Sequence, residues 1–112
     1  MKKIINGRSY NTDTARKVGS WSNNLSAGDF NYCSEILYQK RTGEYFLFGC
    51  GGAMTIYNST AEGGGITGGS EIIPFSESQA KEWAMSKLSN EEYLESFGTQ
   101  NKGKRYERDN QI

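Results

Sequence analysis

The feature that most constrains the fold is a pair of apolar-rich segments joined by Arg41-Thr42-Gly43. A three-residue loop with glycine in the left-handed position is a common hairpin connection. It predicts a β-hairpin over 34–50 in which Lys40 lies opposite Glu44. The same register pairs Tyr38 with Phe46, Ile36 with Phe48 and Ser34 with Cys50 on one face. A two-residue turn would scatter the apolar side chains over both faces, so the three-residue loop is favoured.

The opposite face of this hairpin is mixed in character. It carries Glu35, Leu37, Gln39, Tyr45 and Leu47. The predicted register puts Cys33 and Cys50 on opposite faces, which argues against a disulfide bond between them. Both are interpreted as small strand residues that stay reduced.

The segment before the hairpin predicts one strand and one short helix. Lys3–Asn6 reads as a strand that ends at an Asn-Gly turn. Asn11 or Thr12 could cap a helix over 13–18, because its acidic first turn and basic last turn suit the helix dipole. Gly19 would stop that helix.

The segment after the hairpin predicts two further strands. The first is expected over 54–57 and is followed by a loop over 58–69. The second is expected over 70–75, where Pro74 favours an edge position because proline cannot donate to a sheet ladder. An exposed edge strand there would permit a homodimer.

Two capping boxes predict two helices at the C-terminal end. Ser76–Gln79 opens the first helix, which would run to about Leu88, and Ser89–Glu92 opens the second, which Gly98 would stop. Spacings of three and four residues predict the inward side chains, Ala80, Trp83, Ala84, Leu88, Tyr93, Leu94 and Phe97.

Together these elements predict an α+β fold. It has a small antiparallel sheet of three to four strands around the central hairpin 34–50, a short N-terminal helix and two C-terminal helices. The 112 residues fit one domain with one modest core. That domain is expected over 1–98, and 99–112 is expected to be a disordered tail because no apolar periodicity remains there.

The formal net charge is zero, but the charge is unevenly distributed. Residues 1–20 carry a net charge of +4, residues 70–98 carry −4 and residues 99–112 carry +2. A general nucleic-acid binder is usually basic overall, and a DNA mimic needs many aligned carboxylates. The pattern favours a polarised surface that binds protein.

No segment predicts a membrane span or a secretion signal. No apolar run approaches the roughly 18 residues of a membrane helix. The positive N-terminus turns polar too early for a signal peptide. The chain is therefore expected in the cytoplasm, without a membrane partner.

The reactive residue types are few. There is no histidine, which removes the commonest general base and every Ser-His or Cys-His dyad. The glycine clusters at 49–52 and 63–65 lack the lysine and hydroxyl residue of a phosphate-binding P-loop. No catalytic, metal-binding or cofactor-binding residue is predicted, although carboxylates such as Glu35, Glu44 and Asp29 could hold a metal ion if the fold clustered them.

Two oppositely charged sets of residues are candidates for partner binding. The basic N-terminal set consists of Lys2, Lys3, Arg8, Arg16 and Lys17. It could contact phosphates while a nearby aromatic side chain such as Trp21 stacks on a base. The acidic set lies on the C-terminal helices and could dock on a basic surface, through Glu82, Glu91 and Glu95. Ordinary solvated charge is the alternative interpretation of both sets.

Three stretches, in this order and spacing, carry a family resemblance. They are Ile4–Ala15, Leu37–Gly49, and Glu71–Pro74 leading to Ala80–Ala84. Over about residues 3–98 they resemble a family of small proteins carried by phages, plasmids and conjugative elements of Gram-positive bacteria. Some members of that group are similar to anti-CRISPR proteins that inhibit type II-A Cas9. The matched motifs are turns, caps and core positions, so no catalytic residue is carried over.

The resemblance implies an inhibitor in the cytoplasm of a bacterial host. Such a protein would bind the Cas9 effector, or its guide-RNA complex, stoichiometrically and block guide-RNA assembly or DNA binding. Two alternatives stay open. A small RNA-binding module would use the basic N-terminal set, and a metal-dependent ribonuclease would cut guide RNA with Glu35, Glu44 or Asp29.

Overall fold

The protein is described by a computed structural model that covers residues 1–98. Its strands are β1 (Lys2–Ile5), β2 (Arg8–Asn11), β3 (Arg16–Ser22), β4 (Cys33–Gln39), β5 (Tyr45–Gly51), β6 (Ser59–Thr60), β7 (Ile66–Thr67) and β8 (Gly69–Phe75). Its helices are α1 (Glu77–Lys87) and α2 (Asn90–Tyr93), and α2 continues as a π-helical turn over Leu94–Gly98. The fold is α+β. The predicted tail over 99–112 lies outside the described residues.

A four-stranded antiparallel sheet in the order β3-β4-β5-β8 forms the centre of the protein. The predicted hairpin is confirmed, with Tyr38 opposite Phe46, Ile36 opposite Phe48 and Ser34 opposite Cys50. In its turn, the Lys40 amide donates to the Glu44 carbonyl at 2.7 Å, and Gly43 has the left-handed φ of +99°. Within residues 1–98, strand β8 pairs with β5 alone, so Pro74 lies on an edge strand as predicted.

The larger core lies on the mixed face of the sheet, which we call the helix face. Leu37, Tyr45 and Leu47 pack there against the two C-terminal helices. The helix residues in this core are Ala80, Trp83, Ala84 and Phe97. Two alanines allow α1 to approach the sheet closely, and fully burying such a group of side chains is the main source of stability in a domain of this size.

A smaller core lies on the opposite face, which we call the hairpin face. The hairpin β1–β2 folds over it and buries Tyr10 against Phe46 and Ile72. The Tyr10 ring meets Phe46 edge-on at 5.5 Å between centroids, and Tyr38 stacks on Phe46 at 5.3 Å. The sheet is therefore covered on one face by the start of the chain and on the other by the helices.

The predicted helix over 13–18 is wrong. Strand β2 ends at Asn11, a turn follows, and β3 starts at Arg16. The Asn11 side chain accepts from the Asp13 amide at 2.9 Å, which is an Asx turn. The same residue types cap helices and make turns, and a helix of six residues is not stable alone. Pairing of β3 with β4 therefore decides the local structure.

The predicted strand over 54–57 is also wrong. The Thr55 amide donates to the Gly52 carbonyl and the Asn58 amide to the Thr55 carbonyl, both at 3.2 Å, so the chain turns twice here. The Thr55 hydroxyl further donates to the Gly52 carbonyl at 2.9 Å. Part of the predicted loop over 58–69 forms the small hairpin β6–β7.

Both predicted capping boxes are confirmed at the C-terminal helices. The Gln79 amide donates to Ser76 Oγ at 3.1 Å, and the Glu92 amide donates to Ser89 Oγ at 3.2 Å. The prediction that Leu94 points inward is wrong, because its side chain is 58% exposed. The wider π-helical turn places Phe97 in the core instead. None of the helices in residues 1–98 has the length and hydropathy of a membrane-spanning segment.

Candidate partner-binding surface

The basic N-terminal set gathers at one end of the sheet, and the β4–β5 turn joins it there. All five of its members are exposed, Lys2 and Lys3 on β1, Arg8 on β2, and Arg16 and Lys17 on β3. Arg8 forms an ion pair with Glu44 of the turn. This pair exists because β1–β2 folds over the hairpin face.

The turn adds two basic residues that the sequence did not assign to this surface. The Lys40 ammonium lies 3.0 Å from Glu44 and 4.5 Å from the centre of the Tyr10 ring. Arg41 is exposed at the tip of the turn. We call residues 1–17 and 40–44 the cationic end, which holds seven basic and two acidic side chains, a net charge of +5.

A groove of about 410 Å³ crosses the cationic end. Its lining residues are Thr14, Ala15, Arg16, Gln39, Lys40, Arg41 and Gly43. Arg16 donates to the Gln39 side chain at 2.6 Å, which fixes its guanidinium at the groove wall. Neither Arg16 nor Arg41 forms an ion pair with a carboxylate of the described residues.

Glu44 balances part of this positive charge. Hydrogen bonds from Lys40, then Thr42, then Arg8 hold the pKa of its carboxyl below the ordinary value of 4.5. The carboxylate is solvent-exposed, so these ion pairs are screened and contribute little to stability. They bring the Lys40 and Arg8 side chains together at one carboxylate.

Trp21 lies away from the cationic end. It is half-buried at the edge of the helix-face core, and the Lys87 ammonium lies 3.8 Å from the centre of its ring. One face of the indole is therefore covered by a cation from α1. A base could stack only after Lys87 moved.

The acidic candidates lie on the C-terminal helices. Glu82, Glu91 and Glu95 are exposed. Residues 76–98, which we call the acidic helices, contain five glutamates and two lysines, a net charge of −3. Because these helices cover the helix face, the acidic surface and the cationic hairpin β1–β2 lie on opposite faces of the sheet.

One carboxylate, Glu35, is buried under the helices. Its side chain is only 8% exposed, and both oxygens accept a hydrogen bond. The Tyr57 hydroxyl donates to Oε2 at 2.5 Å, and the Trp83 indole donates to Oε1 at 2.8 Å. Charge-assisted hydrogen bonds of this kind offset the cost of removing a carboxylate from water. Glu35 therefore joins β4, the turn before β6 and α1.

A glycine makes room for this arrangement. Gly49 lies opposite Glu35 in the ladder, and a Cβ there would be 2.0 Å from Cζ of Tyr57. The Tyr57 ring therefore lies over the bare backbone of β5. Burial, and then the hydrogen bond to Glu35, raise the pKa of the Tyr57 hydroxyl above its ordinary value of 10. The sequence signal for this site was a glycine inside an apolar strand, which marks a close approach.

The structure does not bring the three candidate ribonuclease carboxylates together. Glu35 is buried at the helix face, and Glu44 is in the β4–β5 turn with its basic partners. Asp29 is in the loop before β4, where its side chain accepts from the Asn31 amide at 2.8 Å. Among residues 1–98 there is no group of three Cys, Asp or Glu side chains placed to hold a metal ion.

The two cysteines are free thiols. Sγ of Cys50 lies 3.1 Å from the Ser34 hydroxyl, on the hairpin face. Burial, and then the charge of Glu35, raise the pKa of the Cys33 thiol. A raised pKa keeps a thiol protonated and lowers its reactivity.

No protein-family model, curated protein or solved structure matches this chain. The surfaces open to a partner are distinguished by their charge. The cationic end offers positive groups around a groove, and the acidic helices offer exposed carboxylates.

Proposed function

We propose that the protein is a stoichiometric inhibitor of a type II-A Cas9 nuclease and acts by binding. The observation that supports this is the segregation of charge across the sheet. Positive side chains gather at the cationic end, whereas 42–80 contains no Lys or Arg and the acidic helices follow it. Opposite potentials on one small domain favour oriented docking onto a charged partner.

The acidic half suits the chemistry of this target. Cas9-type effectors hold the guide–target heteroduplex in a positively charged channel and recognise its backbone. Exposed carboxylates on the C-terminal helices, here Glu82, Glu91 and Glu95, can pair with basic side chains that line such a channel. Occupation of that channel would block guide-RNA assembly or DNA binding. The resemblance of residues 3–98 to mobile-element proteins supports the same target.

A titration tests the proposal. Guide-free Cas9 and the Cas9–guide complex are each titrated with the protein by calorimetry, and target cleavage is measured alongside. We expect binding in at least one state, and inhibition that reaches a plateau at about equimolar protein. Absence of binding in both states would refute the proposal. Shortening of labelled guide RNA by substoichiometric protein with Mg²⁺ would instead indicate a ribonuclease.

A small RNA-binding module is the second candidate, and the cationic end favours it. The groove between Arg16 and Arg41 presents positive charge that a phosphate backbone could follow. This candidate predicts binding of guide RNA without Cas9, with an affinity that falls steeply as salt is raised. Fluorescence anisotropy of labelled guide RNA alone separates the two, because an inhibitor that acts on the protein leaves the anisotropy unchanged.

A further inference from the structure

The end of the sheet opposite the cationic end displays large apolar side chains to solvent. Phe30 is 69% exposed, Met54 70%, Ile56 81% and Ile66 65%. They lie on three neighbouring segments, residues 26–32, 52–57 and 59–68, which we call the loop platform. Exposed apolar side chains that cluster in this way commonly mark interaction sites.

The segments of the loop platform are packed tightly against one another. The Met54 amide donates to the Phe30 carbonyl at 2.8 Å, and the Gly52 amide donates to the Tyr32 carbonyl at 2.9 Å. A Cβ at Gly52 would lie 2.5 Å from the Phe30 carbonyl oxygen, so only glycine permits this approach. A Cβ at Gly68 would similarly lie 2.6 Å from a backbone oxygen of β5. The apolar side chains are therefore held on a preorganised backbone, which lowers the entropic cost of binding.

A cleft of about 380 Å³ opens between these segments. Phe30 and Ile66 line it from two different segments. Its floor is made largely of the glycines of β5 and β8 and their neighbours, Gly51, Gly52, Gly68 and Gly69. A cleft with an apolar rim and a backbone floor can accept a side chain from a partner.

The charged side chains of the loop platform itself and of the strand at its cleft floor are acidic. Asp29 lines the cleft, Glu62 precedes β7 and Glu71 lies on β8 close to the cleft floor. The segments 18–39 and 42–80 contain no Lys or Arg. A nucleic acid would be repelled here, and a second copy docking with the same surface would bring carboxylates against carboxylates. The complementary partner is a protein surface that carries basic side chains beside apolar ones.

We propose that the loop platform is the surface by which the protein anchors itself to a basic protein partner, with Phe30 and Ile66 as the principal contacts. A partner side chain fills the cleft between them, and partner Lys or Arg residues face Asp29, Glu62 and Glu71. With Cas9 as the partner, this inference rests on the proposed function. It adds a second docking surface, separate from the candidate residues on the acidic helices.

A double variant with a matched control tests the anchor. Phe30→Ser with Ile66→Ser removes both contacts, and Ile4→Ser removes a side chain that is 60% exposed on β1. We expect the double variant to bind Cas9 on the order of a hundredfold more weakly, because truncated anchors dominate interface energies. The control should bind as the wild type does. Thermal melting checks that both variants stay folded, and equal Cas9 affinity of the folded double variant and the wild type would refute the proposal.

A second measurement does not depend on Cas9. The isotope-labelled protein is titrated with two synthetic helical peptides that share one spacing of charged and apolar positions. One peptide is built from Lys and Leu, and the other from Glu and Leu. We expect NMR shift changes over residues 26–32, 52–57 and 59–68 with the Lys/Leu peptide and not with the Glu/Leu peptide. If Cas9 does not bind at all, the proposed function is refuted. The peptide shifts would then still support the loop platform as a docking surface. Absence of shift changes on the platform with the Lys/Leu peptide, equal changes there with both peptides, or a dimer through the platform in light scattering would refute the platform itself.

Discussion

At the scale of single residues, Glu35 is the group on which the helix face depends. A buried carboxylate is costly unless its oxygens are hydrogen-bonded, and here Tyr57 and Trp83 supply one donor each. Removing one partner while leaving the charge buried costs more than the hydrogen bond alone contributes. Burial of Glu35 could not be predicted from the sequence, because glutamates on strands are usually solvated.

Tyr57→Phe should destabilise the protein measurably at neutral pH. The variant keeps the ring over Gly49 but leaves Oε2 of Glu35 without its donor. We expect a loss of about 1.5–3 kcal/mol in the free energy of unfolding, measured with urea, because the lost hydrogen bond is to a charged group. Tyr32→Phe is the control, since the Tyr32 hydroxyl makes no hydrogen bond within residues 1–98. Equal losses in the two variants would contradict the assigned role.

The same variant should change the response to alkaline pH. The pKa of Tyr57 is higher in the folded protein than its ordinary value of 10. Above pH 10 the unfolded chain therefore releases this proton more readily, and stability falls as the pH rises. In Tyr57→Phe this contribution is absent, so the decline above pH 10 should be shallower than in the wild type.

At the scale of elements, the capping box of α1 positions Trp83 above Glu35. Ser76→Ala removes the acceptor for the Gln79 amide at the start of the helix. We expect a loss of about 1 kcal/mol in the free energy of unfolding. Ser78→Ala is the matched control, because Ser78 lies exposed in the same first turn. A loss in the control as large as that in Ser76→Ala would show that the cap is not responsible.

Local signals predicted the elements that are decided locally. The central hairpin follows from Gly43 and the alternation around it, and α1 follows from Ser76 and the spacing of its apolar residues. The helix over 13–18 and the strand over 54–57 were wrong because their residues suit more than one structure. Pairing with β4 decides the first case, and the backbone hydrogen bonds around Thr55 decide the second.

The binding surfaces were predicted only in part, for a related reason. The basic N-terminal set was visible in the sequence because its members are close along the chain. Lys40 and Arg41 join that set because β3 pairs with β4 and because β1–β2 folds across Phe46, and both are contacts between distant segments. The loop platform was missed because Phe30 and Ile66 are far apart in sequence and line the same cleft only through the close packing of glycine-rich segments.

At the scale of the whole molecule, charge should govern which face a partner selects. The triple variant Glu82→Lys, Glu91→Lys, Glu95→Lys reverses charge on the acidic helices, and Asp13→Lys changes charge at the cationic end. If Cas9 binds the acidic half, the triple variant should weaken binding on the order of tenfold or more, about 1.4 kcal/mol per factor of ten. Asp13→Lys should leave Cas9 affinity nearly unchanged. A larger change of affinity in Asp13→Lys than in the triple variant, in either direction, would place the contact on the other face.

The two hydrogen bonds to Glu35 also connect the loop platform with the acidic helices, which are two different candidate binding surfaces. Tyr57 ends the turn that displays Met54 and Ile56, and Trp83 belongs to the helix that displays Glu82. Both side chains donate a hydrogen bond to the same carboxylate. A partner that binds and restrains the turn would therefore reduce local unfolding of α1. Amide hydrogen exchange in that helix would slow on complex formation, even at amides that the partner does not cover.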